Sequence, residues 1–566
     1  MVQRIPAPPP PVAPPFVPLY GGRAAKQYDV PDHQDQSRDG FCRMLGPANE
    51  VATGAGGNLT KEAGAARRSL TAQSIAGLSW VFSGSVTSAL LRVGVLAVLA
   101  RLITPEAFGV MSAVVMVCSF AELFGQVGVA PALVQKDEVT PEDISTALAV
   151  SLIMGALLGC ALFILAPIIA DLFGNQDLTS PLRLISLVFP ARVAGIISGA
   201  LLQRASRFRA LSLISLGSYL VGYAALSIVL AFLGFGYWAL IWAQFAQLVL
   251  CNVGYVLASP HSFRLSLHRA SLSALLRYGS GFTIARIGNF LGGNVDYLVV
   301  SRYLGPAALG FYSRAYYVMQ QPTKLIGDVG EQVLFPLFSS IKREKERIVQ
   351  AYYICSLTVF LLTSFISAQI YVLAPDIVEL LLGSGWGPAI VPIQFLIISL
   401  PFRVAWKSSS TLIKSEGSTF HLALWQWIYA AMVFAAAFVG SAYGINGVSL
   451  AVALVMAINY FVSVFILKLK YPVSLAHELG IIIKCGVLAW MTGAITYGLI
   501  NLTFLSAMGP LVRLLVGMSI GGAGLLLAGI FLEKIFPGDA TWIKTRIMDA
   551  FPVLTRLPIG MRRKAL

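Results

Sequence analysis

Charge, histidine and cysteine are all scarce in this chain, and each shortage excludes something. Only 12% of the 566 residues are Asp, Glu, Lys or Arg, against about a quarter in soluble domains, so a globular fold bathed in water is excluded. The histidines His33, His261, His268, His421 and His477 lie far apart, and they build no nucleophile–His–acid set and no metal-ligand spacing. No CxxC occurs either. Cys118, Cys160, Cys251, Cys355 and Cys485 fall inside apolar runs, where they read as packing residues, with neither a disulfide nor a metal implied.

Apolar residues are what the chain has instead, at 57%, with a mean hydropathy of +0.76. Runs of about 20 apolar residues, enough to cross ~30 Å of hydrocarbon as a helix, recur between Ser74 and Leu532. Fourteen spans are expected, at 74–102, 107–130, 144–172, 180–203, 210–233, 236–258, 275–303, 308–335, 348–373, 388–412, 418–441, 445–467, 478–503 and 509–532. The runs are continuous rather than alternating, which excludes a transmembrane β-barrel. The expected fold class is therefore an all-α integral membrane protein.

Basic residues mark every second connection: Lys136; Arg204, Arg207 and Arg209; Arg264, Arg269 and Arg277; Lys342, Arg343, Lys345 and Arg347; Lys414; Lys468 and Lys470. Connections rich in Lys and Arg stay on the cytoplasmic side, so both termini are expected inside. The net charge of +15 has no soluble domain on which to form a nucleic-acid surface, and its expected partner is the anionic inner leaflet. Residues 1–70, opening with a Pro-rich stretch and lacking an apolar signal segment, read as a disordered cytoplasmic tail; a translation start at Met44 is the competing reading. The expected division is a tail 1–70, a first lobe 71–258, a basic linker 259–274, a second lobe 275–470, a helix pair 471–535 and a basic tail 536–566.

The lobes follow from an internal repeat. Arg101, Pro105, Gly109 and Ser112 recur in register as Arg302, Pro306, Gly310 and Ser313. Leu123, Gly125 and Val127 match Leu325, Gly327 and Val329, and Pro190-Ala-Arg192 matches Pro401-Phe-Arg403. An ionisable group at membrane depth costs at least ~2.5–3.5 kcal/mol, so each one calls for a partner, a route to the interface or a wet cavity. Here such residues form stripes: Ser85, Ser88 and Arg92; Ser119, Glu122 and Gln126; Arg286, Asn289, Gly293 and Asp296; Arg314, Tyr317, Gln321, Lys324, Asp328 and Glu331; and single arginines at Arg192 and Arg403, with Lys407 a turn later. Arg92, Arg192, Arg286 and Arg403 are expected to line a hydrated cavity. Arg101 and Arg302, at helix ends, are expected to snorkel to the membrane surface, and Pro105 and Pro306 to start their helices.

These residues resemble the polysaccharide transporter branch of the multidrug/oligosaccharidyl-lipid/polysaccharide exporter superfamily, within it the Wzx-type flippases of the colanic acid and succinoglycan-like subgroup. The resemblance runs from Ser74 to Leu532 and rests on four segments: Leu202 to Leu211, Asp296 to Pro306, Leu309 to Tyr316 and Gln332 to Pro336. The Pro-rich tail and Ala205-Ser206 depart from the family pattern. The resemblance implies two six-helix lobes plus a helix pair, in the bacterial inner membrane. It implies transport of undecaprenyl-pyrophosphate-linked oligosaccharides, with a separate polymerase and a chain-length regulator as downstream partners. On that reading Arg92, Arg192, Arg286, Arg314, Arg403 and Lys324 meet the substrate, Glu122, Asp296 and Asp328 are candidates for coupling to H+ or Na+, and no cofactor is needed. Two alternatives stay open: a drug exporter, which predicts a carboxylate-rich lumen, and a polymerase or ligase, which predicts a large outer loop where this chain has only Ala374 to Gly387.

Overall fold

Proline and glycine punctuate the helices at the positions that the repeat marks. In the computed structural model, residues 91–531 are described apart from short segments at 126–132, 134–135, 137–138, 260–264, 342–343, 416–418 and 503. The expected tails, with Ser85 and Ser88, lie outside the described residues. So does the side chain of Asp328.

In chain order the helices are α1 (91–102), α2 (Pro105–Gly125), α3 (Pro141–Leu172), α4 (Thr179–Ser186), α5 (Phe189–Arg204) and α6 (Phe208–Phe232). They continue with α7 (Tyr237–Ala258), then α8 (269–304) and α9 (306–341), which are two arms of Arg269–Ile341 broken at Gly305. The remainder are α10 (Lys345–Leu381), α11 (Ile390–Ile398), α12 (Leu400–Ser415), α13 (Thr419–Ser441), α14 (Gly444–Lys468), α15 (Leu475–Leu502) and α16 (Pro510–Ile530).

Several of these starts are dictated locally. Pro105 begins α2, where its missing N–H is one the helix leaves unbonded anyway. Pro141 begins α3 behind a capping box, in which Thr140 Oγ1 accepts from Asp143 N at 3.2 Å and Asp143 Oδ2 accepts from Thr140 N at 3.0 Å. Gly305 takes φ +87° just before Pro306, so the expectation that Pro105 and Pro306 open helices holds.

Among the described residues nine helices are long and apolar enough to cross a membrane, and eleven if each of two bent pairs is one span. Both bent pairs occupy repeat-related places. Gln176–Ser186 meets Phe189–Arg204 at 54°, and Ser384–Ile398 meets Leu400–Ser415 at 41°. Each bend lies just before Pro190 or Pro401, where a proline can donate no backbone bond and its ring crowds the carbonyl four residues back. The expected spans 180–203 and 388–412 are thus each bent, and the bends place Arg192 and Arg403 in the first turn after a break.

The interior is apolar and aromatic, with Leu309, Tyr312, Ala315, Tyr316 and Met319 all buried along α9. On the other side, Ile164, Ile168, Leu257, Leu526 and Ile530 stand outward at 66–76% exposure. An apolar exterior of this kind belongs against lipid chains, and the chain is a multi-pass membrane protein. The last two helices are not loose appendages. α16 lays Gly517 and Gly521 on Leu373 and Gln369 of α10, Thr496 of α15 donates to Gln369 Oε1 at 3.1 Å, and Arg513 pairs with Asp376 at 2.6 Å.

Candidate functional site

The charged residues of the stripes gather into separate groups, each with its own neighbours. On α5, the guanidinium of Arg192 pairs with the Glu122 carboxylate of α2, both side chains retaining some exposure. A candidate substrate arginine and a candidate coupling carboxylate therefore hold each other. The repeat explains why the second half does otherwise: the position corresponding to Glu122 is Lys324, one residue before the matched Leu325. Arg403 accordingly finds no carboxylate at that place.

Arg403 of α12 instead donates Nη1 to the Tyr316 hydroxyl at 2.5 Å and to Met456 Sδ at 3.6 Å, with its guanidinium 5.0 Å from the Tyr316 ring centre. Tyr316 passes the chain of bonds on, donating to Gly293 O at 3.1 Å. One turn earlier, Tyr312 donates to Asp296 Oδ2 at 2.6 Å. Asp296 is 1% exposed, and burial at that depth requires such donors. Tyr297 stands edge-on to both rings, at 5.8 and 5.7 Å. Tyr312 and Tyr316 went unremarked in the sequence reading, although they lie four apart, on one helical face, within the segment Leu309 to Tyr316.

A third group forms between α2 and α9. Arg314 donates Nη2 to Ser112 Oγ at 3.3 Å, and its guanidinium lies 4.9 Å from the Phe108 ring centre and 5.8 Å from that of Tyr317. Its Nε is buried with no hydrogen-bond partner among the described residues. Arg92 of α1, exposed, lies over Tyr219 at 5.3 Å, and Tyr219 stacks on Tyr223 with ring centres 5.5 Å apart. Both tyrosines belong to a π-helical stretch, Tyr219–Ala225; the extra residue of a π turn reorients side chains and recurs at functional sites. Tyr219 and Tyr223 also went unremarked, although they too lie four apart.

The remaining expected residues are distributed around these groups. Arg286 is half-buried on α8, and Lys324 is exposed on α9. Glu331 pairs with Lys414 at 2.8 Å, a structural contact. Arg101 and Arg302, expected to snorkel, are both exposed at their helix ends, and each also bonds a backbone carbonyl. Arg101 Nη2 donates to Leu380 O at 2.9 Å, and Arg302 Nη1 donates to Asp171 O at 2.5 Å. One donor of each exposed guanidinium is thus taken up by a carbonyl of the protein, the others facing solvent or headgroups. Among the described residues no group of His, Cys, Asp and Glu forms a metal site.

The fold built by these elements is that of multi-pass membrane transporters. It superposes on the lipid II flippase MurJ with a TM-score of 0.66 over 80% of this chain and 98% of that one, at 15% identity. An inward-facing multidrug resistance MATE family transporter of the MOP superfamily is similar over 68% of this chain and 94% of its own, with a TM-score of 0.52 and 17% identity.

Residues 98–391 match the family described as polysaccharide biosynthesis protein, and the chain belongs to that family. Its relatives include the succinoglycan biosynthesis transport protein ExoT of Rhizobium meliloti (strain 1021), 28% identical over 59% of this chain and 67% of the relative. The lipopolysaccharide biosynthesis protein WzxC of Escherichia coli (strain K12) is 26% identical over 70% and 82%. The teichuronic acid biosynthesis protein TuaB of Bacillus subtilis (strain 168) is 22% identical over 83% and 97%.

Proposed function

We propose that this protein is a flippase that carries undecaprenyl-pyrophosphate-linked oligosaccharide repeat units across the bacterial inner membrane for exopolysaccharide or lipopolysaccharide synthesis. It does so with fourteen spans in two six-helix lobes plus a helix pair, both termini in the cytoplasm. The lipid tail stays in the bilayer, while the pyrophosphate and sugars, too polar for hydrocarbon, traverse a wet cavity between the lobes. Arg92, Arg192, Arg286, Arg314, Arg403 and Lys324 meet the phosphates and acidic sugars. Glu122, Asp296 and Asp328 are the candidates for an H+ or Na+ that drives the cycle. No cofactor takes part, and a polymerase under a chain-length regulator consumes the product on the far side.

The observation that carries this reading is Arg314. Its Nε is buried with no hydrogen-bond partner among the described residues, and its face lies against Phe108 and Tyr317. A buried guanidinium with an unused donor is a receptor for an anion, and phosphate accepts from it through charge-assisted, often bidentate bonds. The pairing of Arg192 with Glu122, set against Lys324 at the corresponding place, leaves the second half the more cationic, so the headgroup binds nearer Arg314 and Arg403 than Arg192.

Transfer of a labelled lipid-linked oligosaccharide in proteoliposomes tests the assignment. Arg314→Ala is expected to lose roughly 10–100-fold in rate, the worth of one charge-assisted hydrogen bond, while Arg314→Lys, keeping the charge but not the fork, retains part of it. A well-folded Arg314→Ala protein working at the parental rate removes the residue from the substrate site.

A further inference from the structure

The repeated motif Arg-x3-Pro-x3-Gly-x2-Ser makes contact with its own copy. A Cβ on Gly109 would lie 1.9 Å from the Pro306 carbonyl oxygen, and one on Gly310 would lie 1.9 Å from that of Pro105. One turn further on, Ser112 Oγ donates to Ser313 Oγ at 2.9 Å. The exchange i to j and j to i is that of a twofold contact, although both copies lie in one chain. Small residues are required there, because backbone meets backbone.

The arginines of the motif repeat the exchange at the helix ends. Arg101, closing α1 in the first half, donates to Leu380 O in the last turn of α10, in the second half. Arg302, closing α8 in the second half, donates to Asp171 O in the last turn of α3, in the first half. Each recipient helix then ends in a left-handed glycine that packs on the arginine reaching it: Gly383 (φ +94°) beside Arg101, and Gly174 (φ +66°) beside Arg302. A further bond accompanies each, Trp386 Nε1 to Ala100 O at 2.9 Å and Ser301 Oγ to Phe173 O at 3.0 Å. A cation at a helix C-terminus is attracted by the exposed carbonyls and the helix dipole.

We propose that Arg101 and Arg302 form a reciprocal clasp, each capping the third helix of the opposite half, that holds the outer end of the transport path shut until substrate is delivered. The outer end is the one bearing Gly174 and Gly383, whose connections lack the basic residues of the inner side. With backbones touching at Gly109 and Gly310, and Trp386 filled in edge-on between Phe108 and Phe311, a hydrated headgroup cannot pass while these contacts persist. The clasp is built to release. Each guanidinium is held by neutral carbonyls, so parting strands no buried counter-charge, and water or an emerging phosphate satisfies both sides.

The proposal rests on the alternating-access reading above, and its test separates the two. Ser313 is 3% exposed behind the clasp; Ser313→Cys, with the other cysteines replaced except buried Cys485, reports access by an impermeant maleimide added outside. Adding Arg101→Ala or Arg302→Ala is expected to speed labelling roughly tenfold each and about a hundredfold together, as independent charge-assisted bonds would, with Arg→Lys intermediate. Cys485, 0% exposed on α15, stays slow if the fold is intact. Labelling at Ser313→Cys no faster in the double alanine variant than in its parent overturns the clasp. Ser384→Cys, exposed at the same end, labels in every background if that end faces outward; its protection overturns the clasp's placement. Separately, an oxidised Ser112→Cys, Ser313→Cys pair is expected to stop transfer and to regain it on reduction. Transfer at the same rate in both redox states would sink alternating access itself, and the clasp with it.

Discussion

Replacing Arg192 and Glu122 singly, together and in exchange shows whether their charges serve the fold or the transport cycle. The pair joins α5 to α2 with 22% and 16% of the side chains exposed. At an effective dielectric near 20 and ~3 Å separation, attraction is about 5 kcal/mol, and desolvation of several kcal/mol per ion offsets most of it. The pair as a whole is therefore worth little against a neutral isostere, but removal of one member leaves the other charged at membrane depth. Arg192→Met is expected to cost about 3 kcal/mol and Glu122→Gln about 2, whereas the double variant loses about 1.5, a coupling of roughly 3.5 kcal/mol. The measure is the thermal midpoint of detergent-purified protein followed by fluorescence size exclusion. The exchanged variant, Arg192→Glu with Glu122→Arg, restores the pair and so the midpoint. Transfer separates the roles, because an inverted pair no longer presents a guanidinium from α5. Additive midpoints in the cycle would refute the pairing, and full transfer by the exchanged variant would remove Arg192 from the substrate path.

Gly109→Ala forces a methyl group against the Pro306 carbonyl and is expected to destabilise by about 1–3 kcal/mol through overpacking. Gly94→Ala, with nothing within 4 Å, leaves the same thermal midpoint within experimental error, and equal behaviour of the two would contradict the close crossing. The double variant Asp296→Asn, Glu122→Gln is expected to fold, since each amide still accepts a hydrogen bond, and to transfer substrate without responding to an imposed H+ or Na+ gradient. Full gradient-driven transfer by this variant eliminates both carboxylates as coupling sites.

Hydrophobic run length, the repeat and the alternation of basic connections were enough to read a two-lobed helical membrane protein, because these properties are summed over many residues and survive local error; the polysaccharide exporter reading came from the resemblance carried by four short segments. Helix starts at Pro105 and Pro306 were legible for the same reason: a proline acts on its own backbone, wherever the chain goes next. Partnership was not legible. The stripe containing Glu122 and the lone Arg192 are about seventy positions apart, and only the approach of α2 to α5 turned two candidate transport residues into a pair. Arg101 and Arg302 looked like residues reaching for water because each ends an apolar run. Tertiary structure brought the carbonyl end of a helix from the opposite half to each of them, which gives the exposed guanidinium a partner in the protein as well as solvent. The four-residue spacing of Tyr219 and Tyr223 is plain in the sequence, but the π turn that carries them is not. The sequence by itself determined which residues lie on which helical face, since that depends on a fixed rotation per residue. What each face meets was decided by packing, since the reach of a long side chain depends on where segments hundreds of residues distant come to rest.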